Sequence, residues 1–358
     1  MRKEEYEASC LLNEALNAEG YALTKATNKL REAISTNRFP VYLSPALNGI
    51  LMKEYEKQIS NWREYADEEE VMSFEAQPFY ELEFDDSDIP GSKDGQTFHK
   101  NGLAAVGQLD AYPAASLKSS ATKLATRKNG LIVKFSWEAL KNGKIDLVKR
   151  TMKELAFRAA QEESFAAASA LVDASGVNAQ NFKADKANVL TGNPELSLEG
   201  LEKALDFLAT VRYDGSRLVM PTKYNLVVPT ALARRAEQIM AIREVRTKVG
   251  SKETITSNPV TGKIAKVVEV PELGVIGGDA ADKSWFLLPV KGTMPNPSVA
   301  NVFLAGEKKP KIFVKRNTDM NPEDGDFLDD SYQTKIRHVV AGAMLKTIGT
   351  LASNGTGA

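Results

Sequence analysis

The chain has 358 residues with 46 basic and 47 acidic side chains, so it can fill two ordinary domains, and its formal net charge of −1 lacks the basic excess of a protein that grips DNA by phosphate neutralisation. A single cysteine, Cys10, excludes an internal disulfide framework, and with His99 and His338 as the only histidines no zinc site and no cofactor are expected. No apolar run approaches the roughly 18 residues of a membrane span, and Met1 to Glu5 lacks the apolar core of a secretory signal, which predicts a protein made and kept in the cytosol with no membrane partner.

Residues 1–76 are polar and mostly helical by pattern. Leu11, Leu12, Ala15 and Leu16 repeat at helical spacing, Gly20 interrupts, and Ala26, Leu30, Ala33 and Ile34 resume before Pro40. A second amphipathic stretch, Leu47 to Trp62, runs into the charges of Asp67 to Glu70. The apolar face is too narrow to make a core alone, so the segment reads as an arm that packs against something else.

From Gln77 the period changes to two, with Tyr80, Leu82 and Phe84 alternating with Glu81 and Glu83, which predicts a half-exposed strand. Alternation returns at Leu131, Val133 and Phe135. Between the two lies a polar insertion within residues 77–130, acidic at Asp85 and Asp86 and basic at Lys118, Lys123, Arg127 and Lys128. An insertion of this length without its own core is uncommon unless it binds something, and these six charges are the candidate contact residues.

The longest helix follows. Asp146 caps it, Leu147, Val148, Met152, Leu155, Ala156 and Ala159 form its stripe, and the pattern persists to Val172, roughly 40 Å at about 1.5 Å per residue. Its alanine-rich end, Ala166 to Ala170, permits close approach of a sheet.

Next, Ser197 is a good N-cap for a helix whose stripe is Leu198, Leu201, Leu205 and Leu208. Asp214-Gly215 is turn chemistry. Leu226, Val227 and Val228, ended by Pro229, suit a strand covered on both faces, and Thr230 can cap a helix from Ala231 to about Met240. Leu198, Leu201, Leu205, Leu208, Leu226 and Val228 are the expected core of this α/β layer. Beyond Val299 alternation resumes at Ile312 and Val314, over Tyr332 to Val340, and over Leu345 to Leu351. Residues 352–358 read as a flexible tail.

Motifs for catalysis are weak. Cys10 lies far from both histidines, and Gly274 and Gly277-Gly278 lack the spacing of a dinucleotide or phosphate loop and read as turn glycines. Asp319 to Asp330 has the alternating oxygens of a calcium loop, but its glycine stands one place late and Pro322 stiffens it, so a solvated loop is preferred. Lys308, Lys309, Lys311, Lys315 and Arg316 could face DNA, although no aromatic residues interleave with them.

The order of pieces carries more than any one of them. The run from Asn188 through Thr191-Gly192 to Leu196-Ser197, the Asp214-Gly215 turn, Met220-Pro221, Leu226 to Pro229 and the helix opening Ala231-Leu232 resembles the major capsid proteins of tailed bacteriophages. Trp285 to Pro289, Val302 to Gly306, Pro310 to Ile312 and Asp330 to Arg337 continue the resemblance, which covers roughly residues 130 to 348.

The resemblance implies an α+β fold of the Hong Kong 97-type. Its parts are an N-terminal arm (1–76), an extended loop (77–130), a peripheral domain (131–187 and 311–351) with a spine helix (146–172), and an axial domain (188–310). It further implies a structural, non-enzymatic subunit that assembles with itself into pentamers and hexamers of an icosahedral head. Scaffold, portal and decoration proteins are expected as partners, packaged double-stranded DNA is held without sequence-specific contacts, and assembly takes place in the host cytoplasm. The extended loop would lie over an adjacent subunit, with its separated charges helping to set register. A bacterial nanocompartment shell enclosing a cargo enzyme, and an unrelated α/β enzyme or calcium-binding protein, are the alternatives.

Overall fold

The computed structural model describes residues 39–58, 60–85, 92–93, 96–97, 103, 106–112, 116–136, 138, 145–213, 216–217, 221–249, 252–294, 296–315 and 331–357. In chain order the main elements begin with helix α1 (Phe39–Tyr55), β1 (Asp67–Val71), β2 (Gln77–Asp85), β3 (Ser116–Leu124), β4 (Lys128–Ser136) and α2 (Ile145–Ser169). The middle of the chain forms α3 (Leu198–Thr210), β5 (Tyr224–Val228), α4 (Thr230–Ala241), β6 (Glu244–Val249), β7 (Lys252–Ser257), β8 (Ile264–Glu269) and α5 (Glu272–Ala281). The last part supplies β9 (Trp285–Pro289), β10 (Val299–Leu304), β11 (Lys311–Val314), β12 (Ser331–Met344) and β13 (Leu351–Ser353).

Two compact units result. One takes the described residues up to Ser60 with Thr126–Glu163 and Phe303–Val340, and the other Asn61–Ala125, Ser164–Val302 and Ala341–Ala358.

In the first unit β12 pairs antiparallel with β4 on one side and β11 on the other, Ile336 standing opposite both Leu131 and Ile312. Period-two alternation sends Ile312, Ile336 and Phe135 to the inner face, where they pack on Leu47 and Leu51 of α1 and on Val148, Met152, Leu155 and Ala159 of α2. Helix α1 is also tied to the sheet by polar atoms. The Asn48 side chain donates to the Ile312 carbonyl oxygen and accepts from the Ile312 N–H, both at 2.8 Å, as a neighbouring strand would. The sequence pattern breaks at Pro40, yet the helix begins at Phe39. A proline in the first turn lacks an N–H that would have no partner anyway.

In the second unit β5 lies parallel to β8 and antiparallel to β9, which pairs in turn with β13. Both central strands are buried at every position. One face, through Leu226, Val228, Trp285, Leu287 and Leu351, packs on Leu201 and Leu208 of α3 and on Ala233, Ala236 and Ile239 of α4. On the other face Phe286 meets Phe182, ring centroids 5.4 Å apart. Ser197 caps α3 by accepting from the Gly200 N–H at 3.0 Å. Strand β1 pairs with β10.

Close approach of α2 and β12 occurs where the alanines lie. A Cβ on Gly342 would stand 1.7 Å from the Ala166 carbonyl oxygen, so only glycine lets the strand pass the helix there.

Several local expectations are corrected. Asp67–Val71, read as the charged end of an arm, is a strand, and Trp62, Tyr65, Ala66 and Val71 are buried in the second unit. Glu68 and Glu70 point outward, so an acidic sequence on an edge strand costs nothing. Helix α2 stops at Ser169, because Val172–Asp173 turns back to pair with Gly176–Val177. Helix α4 has Pro229 at its N-cap and Thr230 already inside, without a side-chain cap. Gly274 and Gly277 are helical rather than turn residues, and only Gly278 of the three has positive φ (52°). Residues 345–350 form no strand. The expected flexible tail is in part a strand: Leu351–Ser353 pairs with β9, Ala352 and Ser353 are buried, and the Gly357 N–H donates to the Asn193 carbonyl oxygen at 2.8 Å. Its apolar residues complete the sheet. Cys10, Asp86, His99, Asp214-Gly215, Arg316 and the stretch from Asp319 to Asp330 lie outside the described residues.

Candidate assembly surfaces

Strands β2 and β3 form a two-stranded arm in register from Gln77↔Leu124 to Asp85↔Ser116. Its base is fixed in the second unit by Phe79 and Leu124, which pack on Val71, Ala300, Val302 and Leu345. Beyond that anchor the arm is open, with Tyr80 59% exposed. The register sets Lys118 opposite Glu83 and Lys123 opposite Pro78. Arg127 and Lys128 belong instead to the first unit. Arg127 lies 3.6 Å from Glu162 and its Nε donates to Asn129 at 3.2 Å, while Lys128 opens β4 and is exposed. The six candidate contact charges thus divide between the two units, with Asp85, Lys118 and Lys123 on the arm. The six apolar residues share one cluster, four of them fully buried and Leu198 and Leu205 half-buried against it.

The outer face of the β4–β12–β11 sheet carries a different chemistry. Opposite residues of antiparallel strands share a face, so Phe313, Lys335 and Ile132 form one row and Lys311, Arg337 and Gly130 the next. Arg337 and Lys335 lie 4.7 and 5.5 Å from the Phe313 ring centre. Glu307 reaches Lys311 at 2.9 Å and Arg337 at 2.8 Å. The hydrogen bond from Lys311, with that from Arg337, holds the Glu307 carboxyl below its usual pKa. Of the lysines considered for DNA, Lys309 is 2.9 Å from Glu56 and Lys308 sits over Phe303, so both are at least partly engaged within the chain.

A buried polar trio in the first unit escaped the sequence reading. His338 Nε2 lies 3.0 Å from Glu163 Oε1, and the Tyr55 hydroxyl donates to the same oxygen. Glu163 has no exposed surface, and the Tyr55 and Phe303 rings flank the imidazole. Three elements, α1, α2 and β12, each supply one member. No local motif announces such a set. The second unit has a groove of about 330 Å³ lined by Tyr65, Asp67, Glu69 and Lys291 among others, where Lys291 already bridges Asp67 at 3.2 Å and the Arg63 carbonyl at 2.9 Å. Among the described residues no group of three or more histidine, cysteine or acidic side chains could hold a metal ion, and no helix is long and apolar enough to cross a membrane.

The family model described as phage capsid protein matches residues 119–351. The chain belongs to the phage capsid protein family. Its match takes in β4, α2, the whole axial-type α/β layer and β12. No curated protein matches this capsid chain. Similar solved structures include a phage-related protein from Bordetella bronchiseptica RB50, 13% identical over 86% of this chain and 97% of that one, with a TM-score of 0.48. The head of Helicobacter pylori bacteriophage KHP40 is 9% identical over 80% and 88%, TM-score 0.44. The SrpI encapsulin complex from Synechococcus elongatus is 8% identical over 84% and 89%, TM-score 0.42. At these scores the assignment rests on the family match alone. The chain is therefore a structural protein of a viral capsid.

Proposed function

We propose that this capsid protein is the major shell subunit of a tailed-phage head, assembling with itself into pentamers and hexamers that close around double-stranded DNA. The observation that carries the reading is the family match across 119–351, which spans both compact units. In this reading residues up to about 60 are the arm, β2 and β3 the extended loop, the α1–α2 sheet unit the peripheral domain with α2 as its spine, and the β8–β5–β9–β13 layer the axial domain. Catalysis plays no part. Scaffold, portal and decoration proteins are its partners during assembly in the host cytoplasm.

The mechanism is geometric. Each copy has a rigid body and a projecting two-stranded arm, so it touches several neighbours, and contacts that are individually modest sum over the closed shell. Sedimentation of the purified chain with electron microscopy of the fast fraction tests this. Rings or closed shells are the expected result. A chain that stays monomeric even with its co-expressed phage proteins would overturn it, and a copurifying enzyme inside DNA-free shells would make it a nanocompartment instead.

A further inference from the structure

The outer face of the β4–β12–β11 sheet has no cover, although its inner face is packed by two helices. Ile132 is 64% exposed, and Lys128, Lys134 and Lys335 are exposed beside it. The three strands carry Lys128, Lys134, Lys311, Lys335 and Arg337 and not one carboxylate. Glu307 answers Lys311 and Arg337 from the side, which leaves the face basic. The arm is its electrostatic opposite along one strand. The sequence of β2 holds Glu81, Glu83 and Asp85 and no cation. In the arm's own register Glu81 and Asp85 stand opposite Ser120 and Ser116, and only Glu83 stands opposite a lysine, Lys118.

We infer that this basic sheet face receives the acidic β2 strand of a second copy of the chain. The inference rests on the shell-subunit reading and deepens it by naming the receiving surface. Three features favour this occupant. Alternate residues along a strand repeat at about 7 Å, so Glu81, Glu83 and Asp85 on one copy match the period of Lys335 and Arg337 on the other. Ile132 and the ring of Phe313 add apolar area to the face, which suits a strand bearing the exposed Tyr80 next to Glu81 and has no use for a phosphate backbone. The face is also a flat sheet without a projecting helix, so it could enter no DNA groove. Exposed charge pairs are individually weak and screened by salt, hence the contact steers and registers the arm more than it binds it.

The test is a charge swap. Glu81→Lys, Glu83→Lys and Asp85→Lys together, or Lys128→Glu and Lys335→Glu together, are each expected to remove most of the fast-sedimenting fraction while circular dichroism melting stays near wild type. Both sets in one chain are expected to restore at least half of it. Swapped chains that assemble no better than either single set, or single sets that assemble like wild type, overturn the inference and leave the shell reading standing. Lys128→Glu with Lys335→Glu that leaves shells intact but lowers salt-sensitive retention of duplex DNA gives the face to DNA and overturns it too. If the reversed set melts early, Lys128→Gln with Lys335→Gln replaces it, with a graded loss of shells expected and none overturning the inference. A wild-type chain that never assembles removes the reading beneath it.

Discussion

Strands β5 and β9 are buried at every position, whereas β11 and β12 bury alternate residues and leave a charged row in solvent. The two sheets lie in different units and solve the same problem differently. With helices α3 and α4 on one side and Phe182 on the other, β5 and β9 can be apolar throughout, and their sequences are nearly so. The β4–β12–β11 sheet has α1 and α2 on one face only, so its other face is free to carry lysines and an arginine without cost to the fold. A strand buried on both sides spends all its side chains on stability. One buried on a single side keeps half of them for partners.

Charge at the centre of β5 should break that comparison most severely. Leu226→Asp would place an unpaired carboxylate among residues with no exposed surface, a cost comparable to the roughly 5–15 kcal/mol of net stability that a domain possesses. Soluble yield is expected to fall to nothing. Lys335→Ser on the outer face of β12 is expected to move the urea midpoint by no more than about 0.5 kcal/mol. Normal yield of the Leu226 variant would show that the layer is misassigned.

Next in size is the buried trio. Glu163→Leu removes the acceptor shared by Tyr55 and His338 and leaves both without it in the interior, for a loss of about 3–5 kcal/mol. Glu163→Gln keeps one acceptor oxygen and should lose distinctly less. Equal urea midpoints for the two variants would mean that packing, and not the hydrogen bonds, matters at that position. Gly342→Ala follows, since the methyl group meets backbone rather than a movable side chain, and a cost of about 1–3 kcal/mol is expected from the same measurement.

What the sequence made legible divides along the same line. The Leu198, Leu201, Leu205 and Leu208 stripe and the Leu226 to Pro229 run announce themselves because their neighbours in space are also neighbours in the pattern. The basic group at Lys308 to Arg316 was visible too, but as a linear cluster. Pairing with β12 instead joins Lys311 to Arg337 and sets Lys335 beside Ile132, an arrangement set by register across 130 positions and more of chain. The Tyr55–Glu163–His338 trio joins residues 108 and 175 apart, and Asn48 finds Ile312 across 264. No local periodicity encodes such meetings. Edge strand β1 was hidden for a different reason: its acids look like a solvated run, and the strand is specified by Val71 and by its partner rather than by its own composition.

The smallest effect sharpens the comparison from the other side, at a charge that the fold tolerates rather than uses. Burial, reinforced by the neighbouring Asp67, pushes the Glu69 carboxyl above its ordinary value of 4.5. Where the folded value exceeds the unfolded one, the native state holds a proton that the unfolded state has released, so stability falls as pH rises from about 4.5 through the raised value and the penalty is complete above it. Glu69→Gln removes the ionisation. The variant is expected to melt about 1–2 °C higher than the wild type at pH 7, a small shift because partial exposure screens the charge and the chain is long. That advantage should shrink as pH is lowered and vanish below about 4.5, where both side chains are neutral. A gain that persists unchanged at pH 4 would locate the effect in packing around β1, and a loss at pH 7 would mean that the Glu69 carboxylate has a cationic partner in solution.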